Sequence, residues 1–152
     1  MNDSPESSQR GQSLVEFAGI AFVLILLVMI IFDLGRVVYY SSALTNAARE
    51  AARYGIVNPD EINLIEEKAE EYAIATGLDD LGEVTACWEN FYLGPPVSYE
   101  YYPPPSIKVT ITYGFTPVTP LISNLLPGGN IELTKISTMK LEKLPTQHNE
   151  CH

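Results

Sequence analysis

Apolar residues in this chain are concentrated in one run. Residues 14–32 read LVEFAGIAFVLILLVMIIF, and from Phe17 to Phe32 no polar side chain interrupts it on any face. A helix packed in a globular core keeps a polar side; this one has none, so its natural solvent is a bilayer. At 1.5 Å per residue, about 19 residues narrowly reach the roughly 30 Å of a hydrocarbon core. A removable secretory signal ends in a small-x-small cleavage site, whereas here the run continues into DLGRVVYYSSALTNAAREAARYG with no proline or turn cluster. The pattern predicts a retained membrane helix that stays helical well beyond the membrane.

From Arg36 to Tyr54 the helical period persists, with Ala43, Ala47 and Ala51 on one line and Leu44, Ala48 and Ala52 beside it. Small residues four apart suit two uses, separately or together on opposite faces: packing beneath the chain's own sheet, and close helix contact between subunits. Arg49 and Arg53 bracket Glu50 as a solvated, partly ion-paired face. Asn58-Pro59-Asp60-Glu61 predicts the start of a second helix, with Asn58 as cap, Pro59 in the first position and Glu61 completing a capping box. Gly77 is its expected stop. Between them Ile62, Ile65, Ala69, Tyr72, Ala73 and Thr76 share one face, and Glu66, Glu67, Glu70 and Glu71 crowd the other.

Further on the period shortens to two. Ile107, Val109, Ile111, Tyr113 and Phe115 alternate with Lys108, Thr110 and Thr112, the pattern of a half-buried strand. A second strand is expected over residues 131–141, with Ile131, Leu133, Met139 and Leu141 on one face, and a less regular third over residues 84–92. The expected class is therefore α+β: a long N-terminal helix (transmembrane half plus amphipathic half), a second helix, and a small, mainly antiparallel sheet of about three strands. Gly94-Pro95-Pro96 and Pro103-Pro104-Pro105 flank Tyr99, Tyr101 and Tyr102, a stiff aromatic loop that either folds onto the sheet or forms a contact surface. Residues 121–126 read as a helical turn or two, on the sheet or at the membrane surface.

Charge and composition narrow the function. The 152 residues accommodate one modest domain plus an anchor. A net charge of -10, concentrated in residues 60–100 where Lys68 is the sole base, repels nucleic acid and anionic headgroups. Cys87 and Cys151 are too few for a disulfide framework and lack CxxC spacing, but they suit one bridge in an exported domain. His148 and His152, the only histidines, lie in a polar tail. With no nucleophile-base constellation, phosphate loop, G-x-S-x-G or paired histidine ligands, neither catalysis nor a cofactor is expected. Nor is a metal: the acidic helix has no EF-hand-type loop, and His148, Glu150, Cys151 and His152 read as a frayed tail.

Candidate chemistry sits at the head of the membrane run, in RGQSLVEF. Gly11, without a side chain, lets the backbone enter a narrow peptidase site. A cut there frees an ammonium on Gln12 just as Glu16 enters the membrane. An ionised carboxylate costs on the order of 2.5–3.5 kcal/mol at a membrane helix centre, less near its end, unless it is partnered. A neighbouring subunit's N-terminal ammonium is one such partner. Alternatively Glu16 lies at the headgroup level and the membrane begins at Phe17; residue chemistry leaves both readings open. The flanking bases argue about direction: Arg10 precedes the run, whereas Arg36, Arg49 and Arg53 follow it, which by charge alone favours the N-terminus outside.

Residues 10–55 closely resemble the N-terminal signature of TadE-like proteins, pseudopilins of the tight-adherence (Tad, or Flp) pilus system. The likeness includes Gly11 and Glu16, then Asp33, Gly35 and Arg36 closing the membrane segment, then the block Leu44-Thr45-Asn46-Ala47-Ala48-Arg49-Glu50-Ala51-Ala52-Arg53. KVTITYGFTPVTPLI from Lys108 and STMKLEKL from Ser137 resemble the family's C-terminal half more loosely. The resemblance implies cleavage after Gly11 by a prepilin peptidase, a mature chain starting at Gln12, and Glu16 as the residue that pairs with another subunit in the membrane. It implies a non-enzymatic minor pseudopilin whose partners are that peptidase, other pilins and pseudopilins, an inner-membrane Tad assembly platform and lipid. The expected location is a bacterial or archaeal cytoplasmic membrane, with the N-terminus cytoplasmic. Expected boundaries are a leader over 1–11, the transmembrane and extended helix over 12–57, an extracytoplasmic α+β domain over 58–145 and a polar tail over 146–152. The competing expectation is an unprocessed, membrane-tethered binding module.

Overall fold

The computed structural model describes residues 6–78, 81–90, 104–119, 124, 128–142, 145–146 and 150–151. Helix α1 spans Glu6–Val57, helix α2 Ile62–Ala75, and strands β1 Leu81–Glu89, β2 Ser106–Phe115 and β3 Ile131–Lys140 form one antiparallel sheet in the order β1-β2-β3. This is the expected α+β architecture. The Tyr99, Tyr101 and Tyr102 loop lies outside the described residues, as do His148, His152 and, Asn124 apart, residues 121–126.

Helix α1 is unbroken because no proline interrupts its 52 residues. Its two halves have different fates. Leu14, Phe17, Ile20, Val23 and Leu27 are all more than half exposed, and no residue of the apolar window is buried. The later half is the spine of the domain: Ala43, Leu44, Ala47, Ala48, Ala51 and Ala52 are buried against Ile65, Ala69 and Ala73 of α2 and Val109 and Ile111 of β2. Both alanine lines are thus consumed inside the chain, α2 taking one side and the sheet the other. The inter-subunit use considered for these positions does not hold. At Gly55 the approach is close: a Cβ there would stand 3.1 Å from both Ile107 and Ile65.

The start of α2 departs from the sequence expectation. The Asn58 N–H donates to Tyr54 O at 3.1 Å, and its side-chain amide reaches the same oxygen at 3.5 Å. Asn58 therefore closes α1, whose terminal carbonyls lack intrahelical donors. Residues 58–61 turn, with the Glu61 N–H donating to Asn58 O at 3.2 Å, and α2 begins at Ile62 rather than at Pro59. Glu61 holds the cap position without capping by its side chain, because its carboxylate accepts the Tyr54 phenol at 2.6 Å. That bond is the main influence raising the Tyr54 phenol pKa. The other end is as expected: Gly77 has φ of +84°, its N–H donates to Ile74 O, and the Leu78 N–H donates to Ala73 O. This is a Schellman closure with Leu78 buried beneath it. Lys68 bonds Glu71 on the solvent side, which raises the lysine's pKa.

The inward residues of β2, Ile107, Val109, Ile111 and Phe115, are buried, and Trp88 of β1 joins them. β1 starts at Leu81, three residues earlier than its alternation indicated, because its register shifts between Leu81 and Val84. There Thr112 Oγ1 accepts the Glu83 N–H at 2.6 Å and donates to Glu83 O at 2.9 Å. A Cβ on Gly82 would lie 2.7 Å from that same oxygen. Gly82→Ala is expected to lower stability by about 1–3 kcal/mol, as overpacking does; a denaturant midpoint equal to the parent's would refute the irregularity's dependence on glycine. β1 is also an edge strand, and exposed edges invite foreign pairing. Here Glu66 accepts the Ala86 N–H at 2.9 Å, and residues 150–151 lie alongside, the Cys151 N–H donating to Trp88 O at 3.1 Å.

Candidate functional site at the membrane end of the long helix

Asp33, Arg36 and Tyr40 follow one another at helical spacing on the face of α1 that meets the end of β2. Past Phe115 the chain leaves the sheet through Thr116 and the buried Pro117, bringing Val118 and Thr119 over Asp33. The carboxylate accepts three bonds: from the Val118 N–H at 3.0 Å, the Thr119 N–H at 2.9 Å and the Thr119 hydroxyl at 2.6 Å. Asp33 is 4% exposed and Thr119 fully buried. Arg36 Nη1 lies 3.6 Å from Asp33, and the guanidinium stands 5.1 Å from the Phe115 ring centre and 5.5 Å from that of Tyr40. Tyr40 meets the rings of Tyr113 and Phe115 edge-on. With its oxygens committed to donors, Asp33 is suited to fastening the domain onto the helix and not to proton transfer.

The site residues expected from sequence separate into distinct places. Asp33 and Arg36 come together. Gly35 does not join them: it is exposed, with nothing within 4 Å of a Cβ built on it, and it forms a notch beside Ile31, Phe32 and Tyr39. Gly11, Gln12 and Glu16 are exposed far down the helix, Glu16 being 17 residues or about 26 Å from Asp33 along the axis. There the Gln12 side-chain amide approaches Glu16 Oε1 at 3.4 Å. Cys87 and Cys151 are joined in a disulfide with a Cα–Cα distance of 5.1 Å, on the outer face of the sheet near the Lys108–Glu89 ion pair at 2.8 Å. Val118 and Thr119 were missed as partners of Asp33. Their one sequence signal is a threonine in a proline-rich segment, Thr116-Pro117-Val118-Thr119-Pro120, which follows the end of a strand and has to find donors and acceptors nearby.

Among the described residues α1 is the one helix long and apolar enough to cross a membrane. Its features also have a counterpart among known proteins. Residues 11–53 match the TadE-like protein family. The TadE-like segment takes in Gly11, Glu16, Asp33, Gly35, Arg36 and both alanine lines, and stops short of α2 and the sheet. Comparison with curated proteins and with solved structures finds no match to the chain. The TadE-like match and the uncovered apolar helix together fit a single-pass, membrane-anchored subunit related to Tad machinery.

Proposed function

We propose that this chain is a minor pseudopilin: a structural subunit, not an enzyme, that is cut after Gly11, resides in the cytoplasmic membrane and serves assembly of a Tad/Flp pilus or a related secretion machine. The observation that carries the reading is the TadE-like segment lying on one unbroken helix whose apolar half is left unburied. A cut after Gly11 leaves Gln12 as an ammonium four residues before Glu16. Their present side-chain contact, long at 3.4 Å, holds Glu16 only weakly, so the carboxylate is available to a neighbouring subunit's N-terminus. Other pilins, a prepilin peptidase and the inner-membrane platform are the partners this role requires. The domain then lies outside the cytoplasm, where the Cys87–Cys151 bridge persists.

N-terminal mass spectrometry of membranes tests the processing. A chain beginning at Gln12, formed only when a prepilin peptidase is present, is expected; an intact Met1 would instead support an unprocessed, tethered binding module. Glu16→Val is expected to leave cleavage and membrane insertion unchanged while reducing assembled pili severely. Normal piliation in that strain would end the pairing role of Glu16.

A further inference from the structure

Arg36 stands where a bilayer changes from hydrocarbon to headgroup. With Glu16 inside the membrane, Leu14 to Phe32 span about 28 Å and set the far edge of the hydrocarbon at Phe32. Arg36 lies four residues or about 6 Å further on, within a headgroup layer that adds roughly 5–7 Å on each side. Asp33, between them, is closed off by Val118 and Thr119. The guanidinium is held in place but little spent. Phe115 and Tyr40 fix it with their rings, yet Nη1 makes no hydrogen bond, Nη2 makes one to the Tyr40 hydroxyl at a long 3.5 Å, and the Asp33 carboxylate stands 3.6 Å away. Arg53, by contrast, binds Glu50 at 2.7 Å. The Arg36 side chain is 37% exposed, so an anion has access to it.

We propose that the notch at Gly35 binds one phospholipid, with its phosphodiester on the Arg36 guanidinium and the start of an acyl chain over Gly35 beside Ile31 and Phe32. The notch, about 360 Å³, has Ile31 and Phe32 on its hydrocarbon side and Arg36, Tyr39 and Tyr40 on its headgroup side, so it is apolar below and cationic above, in the order of a lipid's own parts. Its upper wall is fixed, because the Tyr39 hydroxyl donates to Thr76 O at 3.1 Å. A guanidinium already oriented by two rings loses little freedom on meeting a phosphate, and its fork of donors suits phosphate oxygens. A helix from another protein could fill the notch but would bring no phosphate for Arg36. The chain's net charge of -10 disfavours free anions and anionic headgroups, so a lipid with no net charge is the better occupant. The inference rests on α1 being a membrane anchor.

Native mass spectrometry of the full chain in detergent, with dioleoylphosphatidylethanolamine as probe, tests it. The parent is expected to retain one lipid. Arg36→Gln is expected to bind it about tenfold or more weaker, as loss of a charge-assisted bond does. Gly35→Leu fills the notch and is expected to lose the lipid as well. Nothing lies within 4 Å of a Cβ at Gly35, so this variant is expected to melt like the parent by circular dichroism. Dioleoylglycerol, which has no phosphate, retained as strongly as the probe would overturn the role of Arg36, and inorganic phosphate bound as strongly would overturn the lipid as ligand. Equal retention of the probe by parent and both variants would mark it as annular lipid and overturn the site. Carbonate extraction of membranes keeps the anchor separate: a chain released into the soluble fraction would overturn the anchor and this inference together, whereas a chain that stays in the pellet with equal lipid retention overturns the notch alone.

Discussion

Asp33→Ala is expected to free the 116–119 loop from α1 and to lower the stability of the domain by on the order of 3 kcal/mol, because bonds to a charged group contribute about 1.5–3 kcal/mol and the buried donors left behind add their own desolvation. Thr119 is the residue that decides the size of the effect: fully buried, it has both its N–H and its hydroxyl directed at Asp33 Oδ2. Asp33→Asn keeps the shape but turns one acceptor oxygen into a donor that faces another donor, so it is expected to fall between alanine and the parent. Denaturant unfolding of the full chain in detergent gives the midpoint, and limited proteolysis at the loop reports the release directly. If alanine leaves both unchanged, the carboxylate is not what fastens the domain to the helix.

Removing the disulfide should cost still more. Cys87→Ser with Cys151→Ser opens a link across 64 residues, which the chain-entropy model values at about 4 kcal/mol. The expected result is a large fall in the unfolding midpoint of the double variant, matched by the parent after reduction and not deepened when the variant is itself treated with reductant. Equal midpoints for oxidised and reduced parent would show that the link constrains nothing. The edge of β1 provides a local readout: without the link, residues 150–151 are held against β1 by non-covalent contacts such as the Cys151 N–H bond to Trp88 O, and the nearby amides should exchange faster.

Most of the architecture was legible because it was written in periods. An uninterrupted apolar run, a helical repeat of alanines and a strict alternation over Ile107 to Phe115 each admit one solution, and the two helices and three strands follow. Local chemistry at junctions was less legible. Asn58, Pro59 and Glu61 carry a helix-start signature, yet the same asparagine can close the preceding helix, and the demand of α1's last carbonyls prevailed. The alanine lines fit a partner subunit as well as a sheet until the sheet's inner face required something small to lie on. At the candidate site, Asp33 and Arg36 were visible as a pair, but their meaning was not. A sequence shows a charge next to a membrane run as an end point; only the return of residues 116–119, more than eighty positions later, reveals it as an attachment.

The cover on β1 has a consequence in time. Residue 151 follows Trp88 by 63 positions, so at about 5–20 residues per second the ribosome delivers the second cysteine roughly 3–13 s after the strand it protects. Throughout that interval residues 150–151 do not yet cover the outer edge of β1, and the Cys87 thiol has no mate. A nascent chain in this state is open to mixed disulfides and to pairing with a neighbour's edge, and its vulnerability ends when its own tail arrives.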